Sequence, residues 1–219
     1  MCRFLLPLLL CACAQAGLVR IEVAERSDVL EGRSFRSAGP YERIVGRAYF
    51  AVDPKLPANR IIADIDLAPR NDAGLVEFSS DIYVLKPRDP AKGNGAVLYE
   101  VSNRGRKGML SMFNRGTTPA NLDPRTEAHF GDGFLMDRGF TLVWLGWQFD
   151  VQRAEGLMRL YTPTAGKKIT GLVRSEFIPD KKEYSHSLAD RTHIPYPAID
   201  LETATLTVRD RNDAARRAI

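Results

Sequence analysis

Residues 96–108 read Ala-Val-Leu-Tyr-Glu-Val-Ser-Asn-Arg-Gly-Arg-Lys-Gly. An almost continuous apolar run, Ala96 to Val101, stops on a short, basic, glycine-bearing loop. Such a run reads as a central strand covered on both faces. A second one follows at Phe140-Thr141-Leu142-Val143-Trp144-Leu145-Gly146-Trp147. Just before it, Phe134 to Gly139 has the look of a helix end closed by glycine. Two apolar strands joined by about forty residues containing a helix make a crossover unit with parallel strands. The fold class expected is therefore a β-rich mixed sheet with one βαβ crossover and few helices.

The remainder of the chain has a different rhythm. From Gly17 to about Lys92 apolar and polar residues alternate, as in a half-exposed antiparallel sheet. Val19, Ile21 and Val23 share one face of a strand, with Arg20 and Glu22 opposite. Tyr41 to Phe50, Ile61 to Leu67 and Val76 to Val84 read as further strands, separated by turns at Ser37–Pro40 and Pro69–Gly74. Alternation returns at Ile169–Ile178 and Ala204–Val208. The organisation expected is a β-rich part at 17–92, the βαβ unit at 93–150 and a β-rich extension at 151–219.

The N-terminus carries an address. Arg3 precedes the apolar run Phe4–Ala12, and Ala14-Gln15-Ala16 is a small-x-small cleavage site. This pattern predicts a signal peptide over residues 1–16 and a protein exported to the periplasm or beyond. All three cysteines, Cys2, Cys11 and Cys13, fall within it, so the exported chain would have no disulfide and no cysteine metal site. Leu10-Cys11-Ala12-Cys13 also resembles a bacterial lipobox, which makes a lipid anchor at Cys13 the alternative. No other segment approaches transmembrane length.

Composition removes several function classes. The net charge is only +4, and the basic runs are short and interspersed with acids, so no nucleic-acid partner is expected. The loop after Val101 does not match G-x-x-x-x-G-K-[ST], and Gly93 and Gly95 precede the strand where a dinucleotide site would need them after it. His129, His186 and His193 lack the spacing of a zinc site, and no cofactor is implied. No serine stands in a G-x-S-x-G elbow, so no catalytic residue is assigned. Asn103, Arg104 and Gly105 end a buried strand, at the sheet edge where ligands collect in open α/β sheets. Their amides are candidates for stabilising an oxyanion, against the plainer reading of a solvated turn. Trp147 and Gln148, ending the second strand on the same edge, are candidate walls of that site. Trp144, in mid-strand, reads as core.

Several of these segments together resemble a bacterial family, the alpha/beta hydrolase domain proteins. The resemblance rests on Gly39-Pro40-Tyr41-Glu42, Asp66-Leu67-Ala68-Pro69-Arg70-Asn71, Leu98 to Gly105, Gly139 to Gln148, Ile169 to Phe177 and Ala204 to Arg209. It runs in order from about Arg20 to the end. It implies an incomplete α/β-hydrolase-like fold, because family members are much longer and carry their serine elbow downstream. It also implies that the Asn103 loop lies on the oxyanion side of the site and that the whole protein takes a small ester or other acyl substrate. The expectation is the N-terminal part of an exported esterase-like serine hydrolase, inactive by itself. The rival is an exported, non-catalytic β-rich binding module.

Overall fold

The computed structural model describes residues 17–165, 169–189 and 195–219. Residues 1–16, where a signal peptide and a lipid anchor at Cys13 are expected, and His193 lie outside these residues. The chain divides into two compact units, Met1–Gly171 and Leu172–Ile219.

The first unit is built on one mixed sheet. Its strands are β1 (Gly17–Asp28), β2 (Ser34–Phe35), β3 (Gly39–Val52), β4 (Val76–Pro87), β5 (Val97–Val101), β6 (Thr141–Leu145) and β7 (Leu160–Tyr161). The seven strands run in the order β1-β3-β4-β6-β5, with β2 added to β3 and β7 to β4. Pairing is antiparallel except between β5 and β6, where Val97 to Val101 match Thr141 to Leu145 in parallel. Between β5 and β6 lie three short helices, α1 (Met109–Phe113), α2 (Glu127–Phe130) and α3 (Phe134–Asp137). Gly139, at φ +77, ends α3, and its N–H donates to the Met136 carbonyl.

This architecture corrects the expectation of an α/β-hydrolase-like fold. Among the described residues one strand pair alone is parallel, and the long strands β1, β3 and β4 form an antiparallel meander. Only the β5–β6 connection is both long and helical, and parallel pairing needs such a crossover. What forms is a β-rich mixed sheet with few helices.

The two faces of the sheet differ. One carries Tyr41, Tyr83, Leu85, Leu142 and Trp144, all buried, against Met109 and Leu110 of α1, Phe130 of α2 and Leu135 and Met136 of α3. Tyr83 meets Trp144 edge-to-face at 5.6 Å between ring centres. The other face is buried at Glu42, Ala48, Val76, Ser80 and Ile82 of the two central strands β3 and β4. Toward its edges it bears Ile21 and Val23 on β1 and Val97, Tyr99 and Val101 on β5. These last three are 62, 44 and 53% exposed. So β5 is an edge strand with one open face, not the doubly covered central strand its composition implies.

Two other sequence readings fail for local reasons. Ile61–Leu67 forms turns, not a strand: Asp64 sits at φ +57, and Ile65–Leu67 coil into a 3₁₀ turn. A left-handed residue breaks the alternation that a strand requires. Ile169–Ile178 pairs with no strand, and Ala204–Val208 contributes only β8 (Thr207–Val208), which pairs with β9 (Arg217–Ala218). In that second unit Glu176 gathers Arg174, Arg209 and Arg216, an exposed ion-pair group.

A fully buried asparagine ties the helices together. Asn114 accepts from Leu135 N at 2.9 Å through its side-chain oxygen and donates from its amide to the Phe130 carbonyl at 3.2 Å. Its own carbonyl accepts from Asp132 N. Removing the side chain strands the Leu135 N–H and the Phe130 carbonyl in a dry interior. Asn114→Ala is expected to lower the unfolding free energy by about 2–4 kcal/mol in urea titration. A loss below about 0.5 kcal/mol would show that the two backbone groups find other partners.

Candidate functional site

Strand β5 and the loop that follows are fixed by one carboxylate. Glu100 projects from β5 toward the helix-covered face and accepts from Gly108 N and Met109 N, each at 2.9 Å, and from the Trp144 indole N–H. It joins β5, β6 and the start of α1 at one point. Charge-assisted bonds of this kind are roughly twice as strong as neutral ones. The chain between Val101 and Gly108 is thereby held at both ends.

The loop itself is pinned from the far side by the segment after β6. Arg104 stands at φ +52, and its N–H donates to Gln148 Oε1 at 2.7 Å. Its guanidinium reaches Asp150 Oδ1 at 2.8 Å and the Asp150 carbonyl at 3.2 Å. The Gly105 carbonyl accepts from Met158 N at 3.0 Å. A β-carbon on Gly105 would fall 2.6 Å from the Met158 carbonyl oxygen, at φ +76, so this position has room only for glycine.

The structure therefore brings the five sequence candidates to the same ends of the parallel strands and separates their roles. Arg104 and Gly105 are buried, and the Arg104 N–H is already engaged by Gln148. Gln148 serves as the loop's anchor. Asn103 is exposed at the tip, and its side-chain amide bonds to no described residue. Trp147, 60% exposed, lies beside Gln148 at the same ends of the parallel strands. Of the three oxyanion candidates, only Asn103 is exposed. Ser102 is fully buried, with no hydrogen-bond partner for its hydroxyl among the described residues, so it has no access to substrate. Ser102→Ala is expected to leave stability unchanged or raise it, since an unsatisfied buried hydroxyl is removed. A loss above about 1 kcal/mol in thermal unfolding would instead reveal a partner for that hydroxyl.

Lysine 107 is the feature that sequence reasoning missed. Its ammonium donates to the Gly156 carbonyl at 2.8 Å and lies 4.9 Å from the Tyr83 ring centre. Around it stand Arg43, Tyr83 and Asp123, joined by hydrogen bonds of 3.0–3.2 Å. Burial lowers the Lys107 pKa from 10.5 to about 8, opposed by Asp123 and Glu100 and aided by Arg43. The residue occurs in a basic loop with no local sign of burial; the bond to Gly156 lies 49 residues away. A depressed lysine binds fewer protons folded than unfolded between about pH 8 and 10.5. Stability from this group consequently rises with pH through that window and is level below it. The unfolding free energy of the natural chain minus that of Lys107→Met is expected to increase between pH 8 and pH 10, read by urea titration in steps. A flat difference would mean that the ammonium is solvated.

The histidines are occupied locally. His129 Nδ1 accepts from Arg125 N at 2.9 Å and Thr126 N at 3.1 Å, capping α2. His186 stacks on Phe177 and pairs with Glu183. Among the described residues no group of three or more His, Cys, Asp or Glu is placed to hold a metal. No helix among them is long and apolar enough to cross a membrane. The larger hollow, about 520 Å³, lies at the opposite ends of β5 and β6, between Lys92–Asn94 and Asp137–Gly139. It is remote from Asn103 along both strands. A smaller cleft, about 430 Å³, opens beside the 153–159 segment, where Arg47, Arg153, Arg159 and Tyr161 line it. Comparison with known proteins finds no matching family model, no matching curated protein and no matching solved structure.

Proposed function

We propose that this chain is the N-terminal part of an exported serine-type hydrolase of small acyl esters, and that it supplies the oxyanion side of the site. The observation that carries the reading is the placement of Asn103. Its amide is exposed, on a loop pinned by Glu100, Gln148 and Asp150, at the carboxyl ends of the one parallel strand pair. A donor held in place before reaction stabilises developing negative charge without the cost of reorganising. The resemblance of Leu98–Gly105 and Gly139–Gln148 to a hydrolase family supports the same reading.

In the reaction, a serine hydroxyl adds to the ester carbonyl and passes its proton to a histidine. The carbonyl oxygen becomes an oxyanion, and the Asn103 amide donates to it. The alcohol leaves with that proton, and water then releases the acid from the serine. The reading takes the donor alone from this chain: Ser102 is buried, and His129 and His186 are engaged elsewhere. The serine, histidine and acid belong, on this reading, to sequence that follows codon 219.

One observation favours the alternative, a non-catalytic exported β-rich binding module: the Arg104 N–H, a natural second donor for an oxyanion, is spent on Gln148. The coding sequence after codon 219 separates the two. An in-frame G-x-S-x-G, followed by an acid and a histidine, is expected. In its product, Asn103→Ala is expected to lower kcat toward a p-nitrophenyl ester about 10²–10³-fold, with KM little changed. An immediate stop codon, or an Asn103→Ala product with full kcat, would overturn the proposal. The 219-residue chain alone is expected to take no label from a fluorophosphonate probe.

A further inference from the structure

Among the described residues strand β1 forms one edge of the sheet and pairs only with β3. It is long, Gly17–Asp28, and nearly every residue in it is exposed. Proteins that keep such an edge unpaired usually shorten it or break it up with charges and bulges, because open N–H and C=O groups recruit another strand. Here bulges fall between Leu18 and Arg20 and between Val23 and Glu25, leaving Arg20 to Val23 in regular register.

The side chains of that regular stretch are complementary to themselves. Pairing places Ile21 and Val23 on the face of Ala48 and Gly46, and Arg20 and Glu22 on the face of Tyr49 and Arg47. Consider two copies of β1 side by side, antiparallel about a twofold axis through Ile21. Ile21 then meets Ile21, and Arg20 of each copy stands opposite Glu22 of the other. Directly opposed residues share a face, so the apolar pair falls on one side and the charged pairs on the other.

Register follows from charge. An antiparallel ladder requires residues of like parity to oppose each other, since N–H and C=O groups point outward from alternate residues. The two nearest registers of the correct parity oppose Arg20 with Arg20 or Glu22 with Glu22. Both juxtapose like charges, which destabilises a strand pair. Within one copy Arg20 Nε already bonds Glu22 at 2.9 Å, with both side chains more than half exposed. In the paired edge the four charges would alternate in sign around the axis.

We propose that β1 joins a second copy of this chain edge to edge, in the register that opposes Arg20 to Glu22 and sets Ile21 on the twofold axis. The sheet continues across the axis, and each Ile21 side chain lies against its counterpart. This interface is isologous, the same patch serving on both subunits. It lies at the sheet edge opposite β5 and is independent of the acyl-site reading.

The test uses charge exchange in the full chain. Sedimentation equilibrium at about 100 µM is expected to give a dimer for the natural sequence. Arg20→Glu, which leaves two acids per strand, and Glu22→Arg, which leaves two bases, are each expected to be monomeric at that concentration. Mixed in equal amounts they are expected to form a heterodimer, because every opposed pair is then of opposite sign. Unchanged far-ultraviolet circular dichroism of each variant checks that it has folded, and the recovery on mixing excludes misfolding independently. A monomeric natural chain would overturn the proposal. So would variants that dimerise alone, or a mixture that stays monomeric.

Discussion

The Glu100 carboxylate is the point on which the parallel half of the structure depends. It is the one acid in the run Ala96–Val101, and it turns toward the helices, where apolar side chains otherwise gather. There it collects the Trp144 indole N–H and the first N–H groups of α1. Remove it and three donors lose their acceptor at once, at the junction of β5, β6 and α1. Hydrophobic burial alone would hold Trp144 in the core without fixing where the next strand and the next helix begin. The directional bonds to Glu100 do fix it, and the length and position of the loop between them follow.

That loop shows how a short segment is made rigid without regular structure. Three of its residues have separate fastenings: Arg104 to Gln148 and Asp150, Gly105 to Met158, Lys107 to Gly156. Two residues at positive φ, Arg104 and Gly105, let the chain turn sharply enough to reach these partners. For the arginine this conformation is costly, of the order of 1–3 kcal/mol, and persists because its guanidinium and its N–H are both bound. Asn103 and Arg106, both exposed, stand outside this fastening, so the loop fixes where their backbone lies and leaves their side chains to solvent.

Much of this was legible in the sequence, and the exceptions have physical causes. The parallel partnership of Val97–Val101 with Thr141–Leu145 followed from two apolar runs with a helix between them. Trp144 as core, and the placement of Gln148 at the same sheet edge as the Asn103 loop, followed from the same register. The coverage of β5 did not. Apolar residues on both faces mark a strand that avoids water, whether or not the sheet beside it supplies the cover, and here Val97, Tyr99 and Val101 lack it. Ile61–Leu67 alternates as a strand would, but Asp64 takes a left-handed conformation and the chain coils. Lys107, Asp150 and Met158 were invisible because their partners stand far along the chain, and no local pattern encodes such a pair. Glu100 was different: a carboxylate alone in an apolar strand was a readable signal of a buried hydrogen-bond centre.

The two edges of the sheet pose different physical problems. Along β5 the exposed row is Val97, Tyr99 and Val101, with no charge in it, so nothing in that row favours one register or one partner over another. An edge of that kind is safe only when a surface of fitting shape covers it. Along β1 the corresponding row is flanked by Arg20 and Glu22, spaced so that a twofold axis between copies pairs them and the nearest allowed slip in either direction opposes like charges. Apolar exposure supplies the tendency to associate in both places. Only in β1 does charge also choose how, which is why the two edges of one sheet invite different occupants.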